Sequence, residues 1–323
     1  MVNVDDDPGS WKDKWWMALP AGMVAYCFLL ALVGGLRIEH VAITLAVIAL
    51  AWIGPRTRQF LIDMSPYLFL AVGYDLVRYG REAFVRPQNV LGCGLRKADL
   101  ALFAVSPGVT IQDWFAVHHW PAVDLLAAVP YLIFIYLAFI YAAYLYFVDR
   151  PRMRFYLWSL ALANYIAYAM WLIVPAAPPW YIRTYGCAID MAALPSAAGL
   201  VRVDHLLGIR YFHDFYSRAS SVFGAMPSMH CAYPMIGLLT AWKSIGWKTR
   251  PLHLIYALWM FFAAIYLGHH WVLDALAGWL VSVVAVSVVS LVRRYATSQQ
   301  AARAIRLLVP SEQHQHGGTG VAT

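Results

Sequence analysis

Residues 16–36 pass without a single charged side chain, and further apolar runs follow at 38–53, 60–77, 123–148, 155–174, 230–242, 252–267 and 271–292. About 20 apolar residues carry a helix across a bilayer. A series of such runs leaves almost no room for the polar surface that a soluble domain needs. Composition agrees: 62% of the 323 residues are hydrophobic and 13% charged, where soluble domains have roughly half and a quarter. A soluble enzyme, a disordered chain and a small disulfide scaffold are thereby excluded. An outer-membrane barrel is disfavoured too, because its strands alternate polar and apolar over about ten residues and these runs are continuous. The expected fold is all-α, a polytopic transmembrane helical bundle of about eight spans. The runs at 38–53 and 230–242 are short, so six or seven crossings remain open.

Counting eight crossings sets the topology. The connectors 55–59, 149–154 and 243–250 share one face and carry Arg56, Arg58, Arg150, Arg152, Arg154, Lys243, Lys248 and Arg250. Short loops rich in Lys and Arg stay cytoplasmic, so that face and both termini are expected inside. The start, with Asp5-Asp6-Asp7, lacks the basic region of a signal peptide. The expected organisation is a cytoplasmic N-terminus at 1–15, one integral membrane catalytic domain at 16–295, and a disordered polar tail at 296–323. The net charge of +7 follows from the cytoplasmic loops. No basic stripe or recognition motif points to nucleic acid. The long connectors 78–122 and 175–229 and the tight turn 268–270 lie on the opposite face. Of four cysteines none forms a CxxC pair. Cys93 and Cys187 sit in the two long connectors, paired if the compartment is oxidising or left as two thiols.

Two segments carry chemistry. The first is Phe223-Gly224-Ala225-Met226-Pro227-Ser228-Met229-His230, the second Gly268-His269-His270-Trp271-Val272-Leu273-Asp274. Each lies where a loop becomes a membrane helix, and two crossings separate them, so His230 and His270 return to one face. His270 and Asp274 are four apart, on one side of a helix. An aspartate just inside a membrane helix is costly and by default functional. It is expected to fix one imidazole nitrogen and leave the other as nucleophile or base. His230 is placed to act as acid and then as base. Helix N-termini favour anions, so the set reads as a phosphate site. A metal at His269, His270 and Asp274 is disfavoured, since adjacent helical side chains diverge by about 100°. Ser228 lacks a nucleophile elbow and is expected to cap the helix starting near His230.

Pro227-Ser228-Met229-His230 followed by His270 and Asp274 resembles the type 2 phosphatidic acid phosphatase superfamily. Ala177-Pro178-Pro179-Trp180-Tyr181, the stretch from Gly199 to Asp204, and Tyr266-Leu267 ahead of the second segment extend the resemblance to its fungal-type inositol phosphorylceramide synthase branch. The resemblance covers about a third of the chain. It implies a six-helix phosphatase-like core in which His270 attacks phosphorus to form a phosphohistidine. Asp274 would orient His270, and His230 would protonate the leaving alcohol and then deprotonate the acceptor. It implies phosphatidylinositol as donor, a ceramide hydroxyl as acceptor, the bilayer as partner, and no metal or organic cofactor. A further subunit is left open.

Two elements of the superfamily are missing. Its Lys-x6-Arg-Pro element appears here only as Arg86-Pro87, with Tyr79 in the lysine position, and Ala264 replaces an arginine six residues before the nucleophile. Arg78, Arg81 and Arg86 are the expected replacements in binding phosphate, alongside Ser228 and His269; Arg218 is a weaker candidate. The alternative activity is a lipid phosphate phosphatase with water as acceptor. A transporter is disfavoured, because the ionisable residues cluster at one face and no inverted repeat is visible.

Overall fold

The computed structural model describes residues 11–308. It is helical throughout, with no strand among the described residues. A short 3-10 turn, Trp11–Met17, leads into α1 (Ala18–Leu32), followed by α2 (Ile38–Ile53) and α3 (Pro55–Phe84). The first long connector folds into α4 (Cys93–Phe103) and α5 (Ile111–Val117). Then come α6 (Pro121–Val148) and α7 (Arg150–Ile173), and a second long connector with α8 (Pro179–Tyr185), α9 (Leu200–Leu207) and α10 (Tyr211–Tyr216). The chain closes with α11 (Met229–Ala241), α12 (Arg250–Tyr266) and α13 (Val272–Leu308).

All eight expected runs are helical, but they are not equal. Five helices are long and apolar enough to cross a membrane: 14–32, α3, α6, α7 and the first 28 residues of α13. The chain is a multi-pass membrane protein on that count alone. α2 and α12 are shorter apolar helices of 16 and 17 residues. α11 has 13 residues, about 20 Å of helix, less than a hydrocarbon core of about 30 Å. α13 extends to Leu308, where Ala301-Ala302-Arg303-Ala304 and Leu307-Leu308 are strong helix formers. The remainder of the tail and the first ten residues lie outside the described part.

Helix boundaries follow from local chemistry. Pro55, Pro121 and Pro179 open α3, α6 and α8 at positions where an amide would be unpaired anyway. Asp149 caps α7 by accepting from the Arg152 N–H at 3.0 Å, and Thr110 caps α5 by accepting from Asp113 at 3.1 Å. Gly268 holds φ +69 between α12 and α13, a conformation that a β-carbon would strain.

α7, α11 and α13 form the centre of the bundle, packed through Ala163, Ala167, Ala232 and Ala285, all fully or almost fully buried. Lipid is as apolar as leucine, so small residues that let backbones approach are what hold such helices together. Gly278 takes this furthest: a β-carbon there would collide with the Ser228 carbonyl. The start of α11 therefore rests directly on α13.

The two long connectors fold over the α12–α13 turn. Leu91, Ala176 and Gly224 pair side by side as isolated parallel bridges. A disulfide joins Cys93 to Cys187, with Cα atoms 5.4 Å apart, and resolves the alternative that the sequence left open. Trp271 is 1% exposed, and its indole N–H donates to the Ala177 carbonyl at 2.9 Å.

Candidate active site

His230 and His270 reach one point from two different helix starts. His230 stands in the first turn of α11, whose cap is Ser228 accepting from the Cys231 N–H at 3.4 Å. His270 ends the tight turn before α13. The Nδ1 of His230 lies 3.0 Å from the Nε2 of His270. The Nδ1 of His270 lies 2.9 Å from the Ala225 carbonyl oxygen, and the Nε2 of His230 lies 3.1 Å from the Tyr216 hydroxyl.

These contacts assign the tautomers. A carbonyl oxygen only accepts, so the Nδ1 of His270 carries the proton. Its Nε2 then presents a lone pair and accepts from the Nδ1–H of His230. The remaining lone pair, on the Nε2 of His230, accepts from the Tyr216 O–H. The three contacts form one donor chain ending at Ala225, and they leave His270 with a nucleophilic nitrogen aimed at His230.

Asp274 stands beside this chain rather than within it. Its Oδ2 accepts from the Trp271 N–H at 2.9 Å and lies 3.8 Å from the Nδ1 of His270, too far for a hydrogen bond. The hydrogen-bonding role expected of Asp274 belongs to the Ala225 carbonyl. Asp274 is fully buried, and its Oδ1 has no partner. It is a carboxyl group shielded from solvent close to the His270 ring.

The connectors brace this arrangement. Gln112 donates from Nε2 to the His270 carbonyl at 3.2 Å. Asp99 accepts from the Leu273 N–H at 3.1 Å and so caps α13 from another part of the chain. Burial holds the Asp99 carboxyl above the usual carboxylate range. The Trp180 N–H donates to the Gly268 carbonyl at 3.2 Å, and the Gly199 N–H to the Leu267 carbonyl at 2.9 Å.

The walls are aromatic. Tyr131 stacks on His230 and His269, at centroid distances of 4.4 and 5.0 Å. Phe134 lies 4.8 Å from His230, and Tyr216 lies 4.8 Å from His269. The hydroxyl of Tyr131 is buried without a partner.

The expected phosphate ligands divide. Ser228 is fully buried, its hydroxyl engaged at the cap and its N–H donating to the Asp274 carbonyl at 2.9 Å. His269 is buried with its Nε2 3.0 Å from the Ala197 carbonyl. Burial, and then repulsion from His270, push its imidazole down to about 3. It is neutral at ordinary pH and offers no positive charge to a phosphate. Arg78, Arg81 and Arg86 line the outer end of α3. Arg78 donates to the Arg218 carbonyl at 3.3 Å, and Arg86 to the Glu82 carbonyl at 3.1 Å. None of the three hydrogen-bonds a member of the histidine cluster. Arg78 comes nearest in the fold, since Arg218 follows Tyr216 by two residues.

Other residues stand closer to the catalytic turn. Arg183 flanks Gly268, where a β-carbon would come within 3.2 Å of its guanidinium. Its nearest carboxylate, Asp113, is 3.8 Å away. Arg202 grips Asp124 at 2.6 Å and lies over the Tyr266 ring. Arg183 is two residues past the Ala177–Tyr181 stretch, so extending that segment would have found it. Tyr216, Gln112 and Asp99 carry no such signal, because only the fold brings them near.

Comparison with known proteins places the chain among relatives. Residues 95–288 match the model of the PAP2 superfamily. The phosphoinositol dihydroceramide synthase of Bacteroides thetaiotaomicron is 33% identical over 264 residues, 79% of this chain and 85% of that protein. The inositol phosphorylceramide synthase catalytic subunit of Saccharomyces cerevisiae is 31% identical over 71% of this chain and 56% of its own length. The inositol phosphorylceramide synthase of Candida albicans is 26% identical over 71% of this chain and 48% of its own length. No solved structure matches the chain.

Proposed function

The chain belongs to the PAP2 superfamily, and on that premise we propose that it is a membrane lipid phosphotransferase. It moves phosphoinositol from phosphatidylinositol to the hydroxyl of a ceramide-like lipid through a phosphohistidine at His270. The observation that carries the reading is the pair of nitrogens 3.0 Å apart, Nδ1 of His230 and Nε2 of His270, with the far side of His270 locked onto Ala225. The names of the bacterial and fungal relatives support the choice of substrates.

The anionic phosphodiester enters between the two histidines and separates them. Beside the anion His230 keeps its Nδ1 proton and takes up one more from water at Nε2, and the Tyr216 oxygen turns to accept from that Nε2–H. The Nε2 of His270 bonds to phosphorus as the bond to the glycerol oxygen breaks. That oxygen takes the Nδ1 proton of His230 and departs as diacylglycerol. In the second half the acceptor hydroxyl gives its proton to the Nδ1 of His230 and attacks phosphorus, and the phosphorus–nitrogen bond breaks. Asp274 balances the charge on the phosphorylated ring. His269 is a positioning residue, wedged between Tyr131 and Tyr216. Arg183 and Arg78 are the cations assigned to the phosphate and headgroup.

Tyr131, Phe134 and Tyr216 enclose His230 in aromatic surface. A centre shielded from water favours an alcohol acceptor over hydrolysis. The site is assigned to the non-cytoplasmic face, with both termini inside. The Cys93–Cys187 disulfide in the two connectors supports this, because such bonds persist in oxidising compartments.

The test is a product assay on the purified full chain in detergent with EDTA, supplied with phosphatidylinositol and ceramide. A new inositol-phosphate lipid, absent from His270→Ala, is the expected result. Free phosphate or inositol phosphate without a new lipid would move the protein to the phosphatase branch.

A further inference from the structure

A cavity of about 200 Å³ lies between α6, α7, α11 and α12. Its origin is local to α11. Pro234 has no amide to offer the His230 carbonyl, and Gly237 adds no side chain, so α11 leaves a gap at this height. A β-carbon built at Gly237 meets no atom within 4 Å. The lining is mainly aromatic and aliphatic, and one lining residue, Leu252, is 66% exposed. A cavity of about 150 Å³ accommodates a benzene ring, so this one holds a stretch of hydrocarbon.

The cavity shares a wall with the reacting centre. Phe134, which packs on His230 at 4.8 Å, forms part of its wall, as does Tyr233, the residue one turn beyond His230. Gly237 lies about 10 Å further along α11. A chain that passed Phe134 into this cavity would leave its polar end on the His230 side.

We propose that this cavity seats the hydrocarbon chain of the lipid alcohol whose oxygen is bonded to phosphorus opposite His270. The inference rests on the transferase reading and adds to it a single lipid seat used twice. The leaving oxygen takes the proton of His230 and the entering oxygen returns one to it, so both occupy the same position in turn. Diacylglycerol therefore has to vacate the cavity before the acceptor enters. The buried phenol oxygens of Tyr141 and Tyr256, which also line the cavity, have no partner. A hydroxyl or a water beside the chain would satisfy them.

The experiment uses the full chain in phosphatidylcholine nanodiscs and two readouts. In the first, a long-chain ceramide carrying a diazirine at the end of its chain is photolysed on the inactive His270→Ala protein, and labelled peptides are mapped. Label on α11 or α12 near Tyr233 or Tyr256, displaced by both unlabelled ceramide and diacylglycerol, is expected. Label elsewhere, or label that neither lipid displaces, overturns the proposal. In the second, Gly237→Leu fills the cavity, with Gly237→Ala as a milder step. The ratio of turnover on long-chain to truncated-chain ceramide is expected to fall by about tenfold, the effect of about two methylenes denied burial. An equal loss on both substrates, or an unchanged ratio, overturns it. Native protein that makes no inositol-phosphate lipid refutes the transferase reading instead, while the photolabelling still reports on the cavity.

Discussion

Replacing Asp274 by Asn isolates one charge. Asn keeps a carbonyl oxygen for the Trp271 N–H, so the start of α13 stays capped, and the volume is unchanged. What is lost is a carboxylate 3.8 Å from the Nδ1 of His270, to which the proposed mechanism gives a negative charge. In that mechanism the ring becomes cationic when phosphorus bonds to Nε2. At an effective dielectric of about 20 the two charges attract by about 4 kcal/mol, which is about a thousandfold in rate if the transition state carries most of the charge. The assay is a single turnover with phosphatidylinositol labelled in the inositol ring, quenched in alkali, where a phosphohistidine survives. Asp274→Asn is expected to form label-bearing protein about a thousandfold more slowly than the native chain, with its melting temperature unchanged. A variant within tenfold of native would refute the claim that this charge stabilises the intermediate. Asp274→Ala additionally removes the acceptor of the Trp271 N–H and is expected to lower thermal stability as well.

Tyr216→Phe removes the partner of the His230 Nε2 and is expected to slow both half-reactions by about ten- to a hundredfold, as for a hydrogen bond to a charged group; stopped single turnovers in each direction measure it. Reducing the Cys93–Cys187 bond, or replacing Cys93 by Ser, opens a loop of 94 residues and is expected to cost about 5 kcal/mol, read as a lower melting temperature with activity lost in parallel. His269 is held neutral, down to about 3, against an unfolded value of about 6.5. Its contribution is complete above pH 6.5 and lost as pH falls towards 3, a loss of about 2 kcal/mol at pH 5. His269→Gln keeps a donor for the Ala197 carbonyl, and its melting temperature is expected to depend less on pH between 7 and 5 than that of the native chain.

The parts of this protein that were legible in its sequence are those set by local periodicity and by crossing parity. The apolar runs fix the helices, and an even number of crossings between His230 and His270 puts both at one face. Asp274 was legible as a buried charge near His270, but not its exact service. Spacing of four predicts proximity, whereas the rotamer is decided by the Ala225 carbonyl, which no side-chain pattern announces. The approach of Arg183 to Gly268 is illegible for a related reason. Arg78, Arg81 and Arg86 are singled out by their place at or just past the end of α3, whereas Arg183 reaches Gly268 because α8 is tied to that turn by a backbone hydrogen bond. Contacts made through the backbone of folded loops leave little trace in composition. α13 runs on past the polar residues 297–300, because alanine and leucine keep a polar segment helical.

The pairing of Asp99 with the Leu273 amide joins residues 174 apart in the chain. During synthesis α4 emerges early and waits for a partner that only the last helix supplies. Until α13 inserts, the early connector has nothing to cap and His270 has no neighbouring carboxylate. On the proposed mechanism a chain stopped before α13 is chemically silent towards the phospholipids that already surround it, and the membrane meets the activity only once α13 is in place.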